Sequence, residues 1–315
     1  MKILVTGGAG FIGSNLVDRL ISDGHKVLVL DNLSVGREDF FKQHQKNPHF
    51  QFEKIDLLEQ EKLKNIIPPD VELVYHLVAN SDISKGIQGP QIDFDNTILA
   101  TYNLLTAMKE RGVKKIFFLS GSGVYGDRGE QVLAENFGPL MPNSMYGASK
   151  LSAEALIYAF AHFYDWQVWI LRPANIIGPR LTHGVIFDFI KRLKKNPREL
   201  EILGDGQQSK SYLYVLDVIE AILQVFEKAQ EKINLFNLSS SNFVTVNEIA
   251  QIVVEEMGLP AVKFKWTGGR GGWKGDVPVV RLDNQAIYQL GWQPKYTSKE
   301  AVRKTVKVLL GKESL

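Results

Sequence analysis

The chain of 315 residues contains no cysteine. Disulfides, thiolate zinc or iron–sulfur sites and cysteine nucleophiles are therefore excluded together. Charge of one sign is also missing, because 37 basic residues stand against 35 acidic ones for a formal +2. So small an excess gives no general attraction to a polyphosphate or an anionic membrane surface, and no nucleic-acid partner is expected. No apolar run approaches the roughly 20 residues that a membrane span needs. The opening Met1-Lys2-Ile3-Leu4-Val5-Thr6 meets Gly7-Gly8 too soon for a signal-peptide apolar region. A cytoplasmic protein without a membrane partner is the expectation. The histidines, His25, His44, His49, His76, His162 and His183, show no metal-ligand spacing, so no metal is expected. His76 reads as a strand-end residue satisfied by backbone.

Hydrophobic content of 44%, charged content of 23% and 27 glycines are ordinary for a globular chain, so neither disorder nor a fibrous repeat fits. The length exceeds that of a usual single core, and one large α/β unit or two fused lobes is expected. Short β-branched runs at Lys2 to Thr6, Val27 to Asp31, Phe50 to Asp56, Val71 to Leu77, Lys115 to Ser120 and Gln167 to Arg172 read as strands. Amphipathic stretches at about Phe11 to Ser22, Leu58 to Ile67, Asp93 to Arg111 and Ser144 to Tyr164 read as the helices between them. The alternation predicts an α/β fold with a doubly wound parallel sheet, the Rossmann arrangement, whose ligand lies at the carboxyl ends of the strands. After about Pro173 the alternation fades and glycine and proline punctuate shorter elements. Residues 1–173, completed by part of 211–240, are expected to form the dinucleotide-binding domain, and 174–315 a smaller α/β substrate lobe. The run Lys191, Arg192, Lys194 and Lys195 reads as a solvated helix end. Ile98, Leu99, Tyr102, Leu105 and Met108 recur at helical spacing and read as core.

Gly7, Gly10 and Gly13 form a G-x-x-G-x-x-G loop between the first strand and the first helix. Gly7 permits the tight turn, Gly10 lets backbone approach a diphosphate, and Gly13 lets the helix pack on the sheet. The helix amino terminus adds free N–H groups and positive dipole for the anion. Asp31, at the end of the second strand, can accept both ribose hydroxyls of an adenosine and repels a 2′-phosphate. NAD is therefore expected over NADP, with Arg37 the nearby cation that a 2′-phosphate would want. Asp56 and Leu57 after the third strand read either as adenine contacts or as a plain strand-end cap.

Tyr146 and Lys150 lie four residues apart on one face of the last long helix of this half. An ammonium beside a phenol favours phenolate, so Tyr146 is expected to move down from about 10 toward the working pH and serve as a general base. The spacing alone is a weak signal; its place after the glycine loop and five strands gives it weight.

Several segments in order resemble the extended short-chain dehydrogenases/reductases, and within them the nucleotide-sugar epimerase/dehydratase group typified by UDP-glucose 4-epimerase. They are the glycine loop, His76-Leu77-Val78-Ala79-Asn80, Ser120-Gly121-Ser122-Gly123-Val124-Tyr125-Gly126, and Tyr146 with Lys150. The likeness continues through Arg172-Pro173-Ala174-Asn175, Ser211 to Asp217 and Gly271 to Pro278. It implies NAD contacts from Gly7, Gly10, Phe11, Ile12, Gly13, Asp31, Asn32, Asp56, Leu57, Leu77, Ala79, Tyr146 and Lys150. It also implies transient oxidation at a sugar C4, with Tyr146 removing the hydroxyl proton and hydride returning to the other face. Lys150 would additionally hold the nicotinamide ribose.

One departure stands out. Four residues before Tyr125, where the group carries a serine or threonine that bonds the reacting hydroxyl, this chain has Gly121. Ser122 is the expected replacement, with Ser120 or a bridging water as alternatives. Dehydratases of the group carry an Asp-Glu pair directly after that hydroxyl residue and decarboxylases a glutamate; here the positions are Ser122 and Gly123. Epimerisation of a UDP-linked hexose is the expected activity. A dehydratase or other 4-keto-forming enzyme, or a non-catalytic NAD-binding sensor, is the alternative. The resemblance assigns Asn175, Lys210 and Arg270 to the nucleotide diphosphate, with Ser122 and Tyr146 at the sugar. It further implies a homodimer through the helices ending at Arg111 and Tyr164.

Overall fold

The structure is a computed structural model that describes residues 1–80, 83–273 and 275–313; Lys274, within the Gly271 to Pro278 segment, lies outside them. Its first compact unit comprises Met1–Val124, Ser144–Arg172 and Ile222–Phe236. The main elements of this unit are β1 (Lys2–Thr6), α1 (Phe11–Ser22), β2 (Lys26–Asp31), β3 (Phe50–Lys54), β4 (Leu73–His76), α2 (Ala100–Arg111), β5 (Lys115–Leu119), α3 (Met145–Tyr164), β6 (Gln167–Pro173) and β7 (Ile233–Leu238). The strands form one sheet in the order β7-β6-β5-β4-β1-β2-β3. All the pairings from β6 across to β3 are parallel. Because β1 lies between β2 and β4, the winding reverses at β1, and the glycine loop starts at that strand's carboxyl end.

Burial explains why these strands read as near-continuous apolar runs. Ile3, Leu4 and Val5 of β1 and Val27 to Leu30 of β2 are all buried, as expected for a parallel sheet with helices on both faces. The helix expected from Asp93 divides: hydrogen bonds widen to π-helical spacing over Phe94–Leu99 before regular α2 begins. Leu105 and Met108 are core, but Tyr102 is 45% exposed and Ile98 and Leu99 are only half-buried, so the apolar stripe is partly a surface. Ser144 starts α3 by accepting a hydrogen bond from the Gly147 N–H at 3.1 Å, which seats Tyr146 in the helix's first turn.

The second unit comprises Tyr125–Asn143, Pro173–Ala221 and Asn237–Leu315. The expectation from sequence is residues 1–173 completed by part of 211–240, with 174–315 as the substrate lobe. Residues 222–236 join the first unit because β7 is hydrogen-bonded to β6 there, whereas 125–143 pack with the second. Short parallel pairs, Asn175–Ile177 with Tyr212–Tyr214 and Glu199–Ile202 with Lys263–Trp266, lie among helices Val185–Lys195, Val246–Met257 and Ser298–Leu309. Among the described residues no helix is long and apolar enough to cross a membrane.

Candidate functional site

The glycine loop closes tightly on itself. Gly7 has φ +75°, its N–H donates to Leu30 O at 2.8 Å, and its carbonyl accepts from Gly10 N–H at 3.1 Å. A Cβ on Gly13 would sit 2.1 Å from Gly7 O and 2.7 Å from Gly8 Cα, so only glycine fits where α1 crosses the loop. No side chain caps α1 at Gly10, which leaves first-turn N–H groups of Phe11, Ile12 and Gly13 free to meet an anion.

Asp31 is 8% exposed, and its carboxylate accepts from Ala9 N–H at 3.0 Å and Leu33 N–H at 2.8 Å. Burial raises its pKa while those two donors oppose the shift. Gly36, which sequence reasoning missed, closes over this carboxylate: a Cβ there would lie 2.9 Å from Asp31 Oδ1 and 2.8 Å from Ala9 Cβ. Arg37 is exposed, though its backbone N–H donates to Ala9 O. Asn32 Nδ2 donates to Asp56 Oδ2 at 2.8 Å, while Asp56 Oδ1 accepts from Leu58 N–H at 2.9 Å. Asp56 is thus a strand-end cap that also holds Asn32. Leu57 is buried in the core, and Leu77 and Ala79 are half-buried beside the loop, where a Cβ on Gly7 would come within 3.1 Å of the Leu77 carbonyl carbon.

His76 is satisfied by side chains, not by backbone as expected. Thr101 Oγ1 donates to Thr97 O at 2.5 Å, so His76 Nε2–H donates to Thr101 Oγ1 at 2.9 Å and Thr6 Oγ1–H donates to His76 Nδ1 at 2.7 Å. Burial, helped by the Lys150 charge, pushes its pKa down to about 3. An imidazole neutral when folded but titrating near 6.5 when unfolded gives stability that is full above about pH 6.5. That stability is lost as pH falls toward 3. His76→Gln is expected to flatten the dependence of urea unfolding on pH across that window by about 1.4 kcal/mol per pH unit. An unchanged slope would show that the ring does not stay neutral.

Tyr146 and Lys150 come together with the 120–123 loop. Lys150 is 3% exposed, its Nζ donates to Leu119 O at 2.7 Å, and Nζ stands 5.9 Å from the Tyr146 ring centre. A Cβ on Gly121 would lie 3.4 Å from Tyr146 Oη, and one on Gly123 would lie 3.7 Å from Tyr146 Cδ1. The phenol therefore faces two glycines. The expected fall in the Tyr146 pKa is not what the structure gives: burial, then the nearby Asp93 carboxyl, push it up to about 12. Lys150 takes the opposite shift, down to about 7, because burial disfavours its cation more than Glu154 restores it. Desolvation exceeds the ammonium's help.

Among the hydroxyls near Gly121, Ser120 Oγ donates to Glu154 Oε1 at 2.5 Å and is occupied there. Ser122, half-buried, opens a turn of 3₁₀ helix, Ser122–Tyr125, and is the loop's other hydroxyl. Glu154 escaped sequence reasoning, although it lies one helical turn beyond Lys150, and its partner Arg172 entered only as part of a resembling segment. Asp93, fully buried and accepting from Asn80 Nδ2 at 3.0 Å, was missed as well.

In the second unit, Asn175 is exposed at the start of its short strand. Lys210 Nζ pairs with Asp276 Oδ1 at 2.6 Å and lies 5.5 Å from the Trp273 ring centre, so its charge is already met by a carboxylate. Arg270 is exposed in a loop where Gly268 and Gly269 have φ of +82° and +90°.

The NAD dependent epimerase/dehydratase family model matches residues 3–239. UDP-glucose 4-epimerase of Mycolicibacterium smegmatis is 32% identical over 99% of both chains. UDP-glucuronic acid decarboxylase 4 of Arabidopsis thaliana is 31% identical over 98% of this chain and 68% of its own. A crystal structure of UDP-glucose 4-epimerase with UDP-glucose from Thermotoga maritima superposes with a TM-score of 0.88, at 33% identity over 99% of both chains. Relatives of different activity thus stand at nearly equal identity. The chain belongs to the NAD-dependent epimerase/dehydratase family, and its cofactor is NAD.

Proposed function

We propose that this chain is a nucleotide-sugar 4-epimerase acting on a UDP-linked hexose. One observation carries the choice among the family's reactions: the loop residues against the Tyr146 ring are Gly121 and Gly123, and the loop from 120 to 123 holds no carboxylate. Elimination or decarboxylation needs an acid or base beside the oxidised sugar, whereas epimerisation needs only the proton and hydride exchange at C4. A UDP-glucose complex among the similar structures supports the uridine diphosphate.

The residues present fit NAD, since the first turn of α1 starts at Gly10 with no side-chain cap and Asp31 presents a carboxylate held by two backbone donors. When bound, NAD supplies the acceptor for the C4 hydride and returns it. Phe11, Ile12 and Gly13 would meet the diphosphate, and Asp31 the adenosine ribose, with Asn32, Asp56, Leu57, Leu77 and Ala79 lining the remainder. Tyr146 Oη accepts the proton of the sugar hydroxyl and gives it back, and Lys150 holds the positive charge that makes phenolate less costly. Ser122 carries the relay hydroxyl, because Ser120 is held by Glu154. In the second unit, Asn175, Lys210 and Arg270 are assigned to the nucleotide diphosphate, with Lys210 weakened for that role by Asp276.

The test is incubation of the purified protein with UDP-glucose or UDP-galactose. Either epimer is expected to reach the same mixture with no net redox change, whereas an accumulating keto product would convict a dehydratase. Gly121→Ser, whose hydroxyl would come within reach of Tyr146 Oη, is expected to raise kcat by up to about tenfold, and Gly121→Ala is not. If wild type is inert and only Gly121→Ser turns over, the chain is a binding protein that has lost its chemistry.

We also propose a homodimer through α2 and α3, where Tyr102 is 45% and Phe163 79% exposed. Light scattering is expected to give twice the 35.4 kDa chain mass. A 35.4 kDa particle would remove the dimer.

A further inference from the structure

Three residues of α3, each four apart, address three consecutive residues at the end of β5. Tyr146 Oη faces Gly121, Lys150 Nζ donates to Leu119 O at 2.7 Å, and Glu154 Oε1 accepts from Ser120 Oγ at 2.5 Å. Glu154 is wholly buried and is gripped from β6 by Arg172, whose Nε donates to Oε1 at 3.0 Å and Nη2 to Oε2 at 2.6 Å. The Ser120 N–H also donates to Leu171 O at 2.8 Å, so the residue is held at both backbone and side chain.

We propose that Glu154 is a positioning residue for the Tyr146–Lys150 pair. Clamped by Arg172, it fixes the stance of the 120–123 loop beneath the phenol through Ser120, and it sets a carboxylate one helical turn from Lys150. The inference deepens the epimerase reading and rests on it for the meaning of turnover. A buried ion pair gives little net stability over a well-packed apolar pair, so stability alone gives no reason for these charges to be here. Position does. Glu154 stands one turn along α3 from Lys150 and opposes the loss of its proton. The other groups facing this pair are Tyr146 on the same helix, His76 from β4, which stays neutral, and Asp93, which bears on Tyr146.

The decisive variant is Glu154→Leu with Arg172→Met, which removes both charges and leaves no single buried ion behind. It is expected to remain folded and to lower kcat at pH 7 at least tenfold with KM within threefold. The alkaline limb of its pH profile should move about one unit toward acid, as Lys150 loses its proton more readily. Ser120→Ala, which keeps the charges, is expected to lower kcat about fivefold without moving that limb. Wild-type kcat and an unmoved profile in the double variant would reduce the network to packing and overturn the proposal. If the double variant does not fold, Ser120→Ala decides alone, and an unchanged kcat in it counts against the proposal. Should wild type convert no UDP-hexose, the epimerase reading fails by itself. The pH dependence of NADH affinity by fluorescence then takes the place of turnover, with the same acid-ward shift expected in the double variant and its absence overturning the positioning role.

Discussion

Tyr146→Phe is expected to lower kcat for interconversion of UDP-hexose C4 epimers by about 10²–10⁴-fold, the span that a positioned acid–base group contributes. The substitution deletes one oxygen and little else. The ring is half-buried against Gly121 and Gly123, the Ser144 cap on α3 does not involve it, and Lys150 keeps its bond to Leu119 O. NAD, released by denaturation and measured by absorbance, should remain at wild-type occupancy, and the melting temperature should hold. A variant that keeps full activity would show that the phenol is not the base. The oxygen's environment disfavours phenolate as the protein stands. With Tyr146 held up at about 12 and Lys150 down near 7, the amine loses its proton first, so the charge that Lys150 carries decides how readily the phenol can act.

The fold was legible where the pattern is local. Lys2–Thr6 and Phe11–Ser22 have the bounds read from sequence, because a β-branched run, a glycine loop and an amphipathic repeat each state their own geometry within a dozen residues. The exchange of 125–143 and 222–236 between the units was not legible beyond the hint that part of 211–240 completes the first, since it depends on which strand finds the edge of β6. Tyr102 illustrates the same limit: helical spacing says that a residue shares a stripe, not whether the stripe has a neighbour.

At the site, Tyr146 and Lys150 were legible as a pair, but their electrostatics were not. Proximity of an ammonium to a phenol is visible in an i, i+4 spacing; desolvation is not, and here desolvation is the larger influence on both groups. Glu154 reads in sequence as one more charged position on a helix, which is ordinarily solvated. Only its fully buried pairing with Arg172 and Ser120 reveals otherwise, and the Lys210–Asp276 pair, 66 residues apart, is equally silent in sequence.

Gly13→Ala is expected to lower NAD affinity about a hundredfold, the order of loss that a misplacement near 1 Å produces in a preorganised site. The added Cβ would start 2.1 Å from Gly7 O, 2.9 Å from Gly7 C and 2.7 Å from Gly8 Cα. All three are backbone atoms of the loop itself, so no side chain can turn aside, and either α1 lifts or the loop deforms. Gly7 cannot yield cheaply, because its N–H is tied to Leu30 O and a Cβ's worth of space separates it from Leu77 and Val78. Overpacking of this kind also costs about 1–3 kcal/mol of stability. Gly10→Ala is the control for the fold alone, since its Cβ would meet only Gly7 O, at 3.2 Å, and a few tenths of an ångström of movement relieve it. Thermal unfolding of the NAD-free variants should place Gly13→Ala below Gly10→Ala, and calorimetric titration should place Gly13→Ala about a hundredfold below wild type in NAD affinity. Wild-type affinity in Gly13→Ala would mean that the diphosphate does not depend on the place where α1 crosses the loop, and the cradle would have to be sought elsewhere.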